Sequence, residues 1–107
     1  MIITTTENIP GYEITEILGI ARGSTVRARM FVSDFVAGLK NIVGGEISEY
    51  TKLQAKSREQ ALQRMMEHAQ KMGADAVVNV RLTTSMIMQG TSEILAYGTA
   101  VKIKLSS

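Results

Sequence analysis

The hydrophobic pattern changes period once, sharply, in the second half of the chain. Leu62, Met65, Met66, Ala69 and Met72 recur at i, i+3, i+4, i+7 and i+10, the spacing of one helical face. Arg58, Gln63, Arg64, Glu67, Gln70 and Lys71 fall mostly on the other side. Gly73 comes just after Lys71-Met72, as suits a helix that ends on a left-handed glycine and gathers cations at its carbonyl end. Beyond Ala74-Asp75 the period is two, so Ala76, Val78, Val80, Leu82, Met86 and Met88 are expected on one face of a strand. No Pro or Gly interrupts the chain between Gly45 and Gly73. One helix is therefore predicted from about residue 47 to 72, roughly 38 Å long at about 1.5 Å per residue. Its first half, with Tyr50, Leu53 and Ala55, is less apolar than its second. A helix that outruns the core of so small a domain finds its remaining contacts on a neighbouring subunit.

The rest of the pattern is β-like at both ends. Met1 to Thr6 is a candidate strand, and Asn8-Ile9-Pro10-Gly11 is a turn built on the only proline. From Tyr12 to Val26, Ile14, Leu18 and Ile20 point one way, with Glu16 and Ile17 out of phase. Gly19 and Gly23 predict a bend or bulge, giving one long bent strand or two shorter ones. Ser33-Asp34 can cap a short helix carrying Phe35, Val36, Leu39, Ile42 and Val43, which Gly44-Gly45 ends. After the strand from Asp75 to Met88, a turn over Gln89 to Ser92 leads into Glu93 to Leu105. Leu95, Tyr97, Val101 and Ile103 share one face of that last strand, opposite Lys102 and Lys104. The predicted class is α+β, an antiparallel sheet of long strands packed on one long and one short helix. Hairpin arms longer than ten residues, against a usual five or six, leave edges and apolar surface that self-association would cover.

Composition narrows the function classes. A chain of 107 residues is one domain, spanning 1–107. The net charge of +2 comes from 12 basic and 10 acidic residues that are interspersed. With few aromatics and no RNP-like string, no nucleic-acid partner is expected. There is no cysteine, hence no disulfide framework, thiolate metal site or Cys nucleophile. The opening MIITTTENIPGYE lacks the basic and apolar regions of a signal peptide. Apolar runs fall short of the roughly 18 residues that a membrane span needs. Glu49, Glu59 and Glu67 interrupt any basic face on the long helix, so no membrane partner is expected either. A soluble cytoplasmic protein is the expectation.

Candidate chemistry is sparse. His68 is the one histidine, and zinc-like ions want three or four converging ligands. Any site for a divalent or soft metal ion therefore centres on His68, with copies meeting in an oligomer. Met30, Met65, Met66, Met72, Met86 and Met88 offer thioethers suited to Cu(I), but core packing explains the last five: Met65, Met66 and Met72 fall on the helix face that should cover the sheet, and Met86 and Met88 on the sheet's apolar face. Arg22, Arg27 and Arg29 surround Gly23-Ser24-Thr25 before the Ser33 helix, a combination able to hold a phosphate or carboxylate. Gly44-Gly45-Glu46 reads as a tight turn; Asn41, Glu46 and Tyr50 alternatively line a subunit interface or ring cavity as polar groups. No Ser/His/Asp elbow, paired-carboxylate motif or nucleophilic Cys is present, so catalysis has little support. An enzyme would need Arg27, Arg29, Glu46 and Tyr50 gathered from neighbouring chains.

Two blocks carry a resemblance. They are Gly38-Leu39-Lys40-Asn41-Ile42-Val43-Gly44-Gly45-Glu46, with Tyr50 and Leu53, and Gly73-Ala74-Asp75-Ala76-Val77-Val78, closed by Tyr97-Gly98-Thr99-Ala100-Val101. On these the chain resembles the YbjQ-like family of small bacterial and archaeal proteins, which carries a heavy-metal-binding label and no assigned activity. The resemblance implies a dodecin-subunit-like α+β protomer and a ring-shaped homo-oligomer, a pentamer.

Overall fold

The computed structural model describes residues 1–28 and 45–107, with side-chain surroundings for 1–26 and 55–107. The short helix predicted from Ser33, together with Arg29, Met30 and Asn41, lies outside the described residues. Four strands, β1 (Ile2–Ile3), β2 (Tyr12–Ala28), β3 (Ala76–Met88) and β4 (Thr91–Leu105), form one sheet in the order β1-β3-β4-β2. A single described helix, α1 (Gly45–Lys71), packs on one face. The β2–β4 and β3–β4 pairs are antiparallel, but β1 lies parallel to β3. The sheet is therefore mixed rather than antiparallel, because the chain enters alongside β3 in the same direction. Thr4 and Thr6 continue that pairing through main-chain bonds to Val77, Asn79 and Val80. The chain must then reach β2 at the opposite edge, and it does so across the face away from α1. There Ile9 packs with Ile14 and Ile103 on buried Ala76, Val78 and Val101.

The helix has 27 residues, about 40 Å of rise. It ends as its sequence dictates. Gly73 takes φ +84°, its N–H donates to the Gln70 carbonyl, and the Ala74 N–H reaches back to the Ala69 carbonyl. These two bonds satisfy carbonyls that the helix end would otherwise leave open. Asp75 follows at once; its carboxylate accepts from the Ile103 N–H at 3.1 Å, and its own N–H donates to the Val101 carbonyl. Gly73-Ala74-Asp75 thus turns the chain and ties the start of β3 to β4.

Alternation is broken in both long outer strands, and this corrects two expectations. In β2 the register slips between Ile14 and Glu16 and again between Ile17 and Gly19, where Gly19 has φ 132°. Two extra residues turn the period from two into three. Ile14, Ile17 and Ile20 consequently share the face away from α1, with strand partners Ile103, Val101 and Thr99, while Leu18 packs on the helix side. In β3 one slip falls between Val78 and Arg81, with Asn79 at φ 55°, and a second between Met86 and Met88. Val78 then lies in the cluster away from α1, and Val77 and Val80 both lie in the cluster beneath it. The expected face of Ala76, Val78, Val80 and Leu82 is split by that one residue. Met86 and Met88, expected as core, are 75% and 62% exposed; α1 lies over β2 and β4 and leaves the outer half of β3 bare.

The core between helix and sheet is made of small residues. Ser57, Ala61, Met65 and Ala69, each four apart, are buried along α1. They face Ala21, Ala96 and Ala100 of the sheet. Small side chains on both surfaces let the backbones approach closely, and Gly23 of β2 sits where the approach is closest.

Candidate functional site

Of the candidate residues, Arg22 and His68 are the ones whose side-chain surroundings are described. Arg22 lies on β2 opposite Tyr97, and position 27 lies opposite Ser92, with an unbroken register between them. Five residues apart without a bulge, positions 22 and 27 belong to opposite faces of the sheet, roughly 16 Å apart along the strand. The stretch Gly23-Ser24-Thr25 is strand rather than loop, so it cannot curl its amides around an anion. Glu46 and Tyr50 lie in the first turns of α1. Arg29 and Asn41 fall outside the described residues.

Arg22 does border an open depression of about 410 Å³ on the face away from α1, with Gly23, Ser24, Glu93 and Leu95. Its guanidinium has no partner among the described residues. The Glu93 carboxylate in the same depression opposes a bare anion, and suits instead a small group carrying both charges. Ser24 has no histidine or lysine among these neighbours to activate its hydroxyl.

His68 has a structural task. Its Nδ1 accepts the Arg22 main-chain N–H at 3.0 Å, which places the imidazole proton on Nε2. β2 is an edge strand, so that N–H points away from β4 and would otherwise rely on water. One turn earlier, Arg64 Nη1 donates to the Ser24 carbonyl on the same edge. Thr25, 3% exposed, donates its hydroxyl to the Ser57 carbonyl at 3.1 Å. Ser57, Ala61, Arg64 and His68 therefore run along one flank of α1 and close the edge of β2. The sequence reading missed Ser57 and Arg64 because periodicity registers apolar positions; their spacing with His68 was the available signal. No group of three or more His, Asp or Glu able to hold a metal occurs among the described residues. With Nδ1 committed, Nε2 of His68 is the ring nitrogen left for a metal, and the other ligands would have to come from beyond the described residues of one copy.

This structural role carries a prediction. His68→Ala should lower stability by about 1 kcal/mol, the usual net contribution of one hydrogen bond, read as a shift in urea midpoint at constant slope. Unchanged stability would return His68 to the pool of free ligands.

A second depression lies on the helix side. Ile3, Thr4, Leu62, Val80 and Leu82 line about 460 Å³ between α1 and the bare part of β3. Beside it Arg81 is held to the chain by Nη1 bonds to the Thr5 and Val80 carbonyls, at 2.9 and 2.8 Å. No described helix is long and apolar enough to cross a membrane.

Comparison with known proteins places the whole chain. The profile of the YbjQ family, described as "Putative heavy-metal-binding", matches residues 1–104. A UPF0145 protein of Methanosarcina acetivorans is 60% identical over 96% of this chain and 97% of its own. One from Archaeoglobus fulgidus is 59% identical over 97% of this chain and 96% of its own. One from Thermosipho africanus is 55% identical over 100% and 99%. The crystal structure of a protein of unknown function of the DUF74 family from Pediococcus pentosaceus covers 97% of this chain and 98% of its own, with a TM-score of 0.62. At 18% identity that last likeness is one of fold alone.

Proposed function

Since the chain belongs to the YbjQ family of UPF0145 proteins, we propose that it is a non-enzymatic, self-assembling scaffold that binds a small ligand or ion between its copies. The observation that carries this reading is the bare outer half of β3. From Arg81 to Gln89 every residue is exposed, and Leu82, Met86, Ile87 and Met88 among them are large and apolar. The protomer measures 61 × 27 × 18 Å with a radius of gyration of 17.5 Å, against about 13 Å for a compact chain of this length. An arm so extended and so apolar is characteristic of a surface that another protein chain covers. The closed ring of five comes from the family resemblance. In it, the depression at Arg22 and Glu93 and the residues near Glu46 and Tyr50 are the places for a ligand shared between copies.

Light scattering at micromolar protein tests the assembly: a single species of several times 11.7 kDa is expected, and a clean monomer removes the reading. The heavy-metal reading requires one residue from several copies to meet, as His68 would have to do through Nε2. Isothermal titration of the assembled protein and of His68→Ala with Zn(II), Ni(II) and Cu(I) separates the two. The scaffold reading expects no difference between the proteins, whereas tight binding lost in the variant would favour metal capture.

A further inference from the structure

The depression between α1 and β3 has an apolar lining and a single charge. Leu62 of α1, Ile3 of β1, and Val80 and Leu82 of β3 supply the hydrocarbon, with Thr4 and Thr5 on the side of the N-terminal segment. Thr4 adds little free polarity, because its hydroxyl is paired with that of Thr6 at 2.7 Å and also accepts the Thr6 N–H. Arg81 is the one charged residue in the described lining. At about 460 Å³ the space falls within the usual range of small-molecule pockets, roughly 300–1,000 Å³.

The guanidinium of Arg81 is held in place. Both hydrogens of Nη1 are engaged, by the Thr5 carbonyl at 2.9 Å and the Val80 carbonyl at 2.8 Å. The Val80 N–H bonds to Thr4 on the outer edge of β3, so these contacts carry the guanidinium to that edge, at the rim of the depression. Nε and Nη2 have no partner among the described residues, and no described carboxylate pairs with them. Their parallel N–H groups form the side of the guanidinium fork that takes both oxygens of a carboxylate. Two fixed donors therefore stand free beside an apolar space.

We propose that this depression binds a small amphipathic monocarboxylate, with its apolar tail on Ile3, Leu62, Val80 and Leu82 and its carboxylate on Nε and Nη2 of Arg81. One guanidinium, with no second cation in the described lining, matches a single negative charge better than the double charge of a phosphate ester. The lining has no carboxylate to hold an amine. Burial of the tail supplies the attraction, and the fork selects the head group. The site is built within one protomer. It is therefore separate from a ligand shared between copies, and it stands whether or not copies assemble.

Octanoate and octanol, one chain with and without the charge, test it on the native protein. In isothermal titration octanoate should bind once per chain and roughly tenfold or more tightly than octanol, the effect of a hydrogen-bonded charge. It should shift the methyl resonances of Ile3, Leu62, Val80 and Leu82 and leave Ile87 on the bare arm in place. Arg81→Gln should lose the preference and bind the two alike. That variant also gives up a tie to Thr5, so if it does not fold, Leu62→Glu decides. Glutamate suits a helix, position 62 is partly exposed, and its carboxylate competes for the fork, so octanoate binding should fall roughly tenfold or more. Equal binding of octanoate and octanol, shifts confined to Ile87 and its neighbours, or undiminished binding in a folded variant overturns the proposal. So does the absence of saturable octanoate binding.

Discussion

Gly23→Ala is expected to destabilise the protein by at least about 3 kcal/mol, the upper end of the range for overpacking, lowering Tm by roughly 12 °C or more. The reason is geometric. A Cβ at position 23 would lie 2.2 Å from the Met65 nitrogen, 2.5 Å from the Ala61 carbonyl oxygen and 2.6 Å from the Arg64 carbonyl carbon. All three are helix backbone, so no side chain can swing aside and α1 as a whole must lift from β2. Lifting it also stretches the bonds from Arg22 to His68 and from Thr25 to Ser57. Gly11→Ala is the control: Gly11 has φ +86° and nothing within 4 Å of a built Cβ, so only the left-handed backbone cost of about 1–2 kcal/mol applies. Thermal unfolding of the three proteins at one concentration checks this; equal losses for both variants would mean that the helix does not sit as closely as described.

Met65→Ala is the second large effect, about 2–5 kcal/mol. Met65 is fully buried, between Ala61 and Ala69 on its own helix and among Ala21, Ala96 and Ala100 of the sheet. Truncation leaves a cavity between helix and sheet, whose cost is added to the lost transfer energy. Met65→Leu nearly conserves volume and should cost less than about 1.5 kcal/mol. Urea unfolding distinguishes the two, and a loss under about 1 kcal/mol for Met65→Ala would show that α1 settles onto the sheet after truncation.

The long helix and its stop were legible because local chemistry decides them. The uninterrupted run after Gly45, the apolar spacing from Leu62 to Met72 and the left-handed Gly73 all act within a few residues of themselves. The strands were legible in place but not in face. One residue at Asn79 and two extra residues in β2 reverse the side on which Val78, Leu18 and Ile17 fall, and a pattern counted by twos cannot register a bulge that tertiary pairing imposes. Gly19 did announce the bulge in β2. Gly23, read as another bend, is instead the point of closest approach to the helix, which no local pattern encodes. The helix seam was under-read for a related reason. Ser57 and Ala61 are too small to stand out as apolar positions, yet they set how near the helix comes.

The site was less legible than the fold. Three arginines close in sequence suggested a cradle, but strand geometry separates positions 22 and 27 onto opposite faces. His68 drew attention as the one histidine and proves to be a cap on the β2 edge. The residues that bear most on function, Leu82 to Met88, read as ordinary strand. They become informative only when the sheet order shows that nothing described lies beside them.

The direct measurement of the central claim, self-assembly over the bare outer half of β3, is the mass of the native protein in solution at micromolar concentration. The account predicts a single species of several times 11.7 kDa. A clean monomer would contradict it.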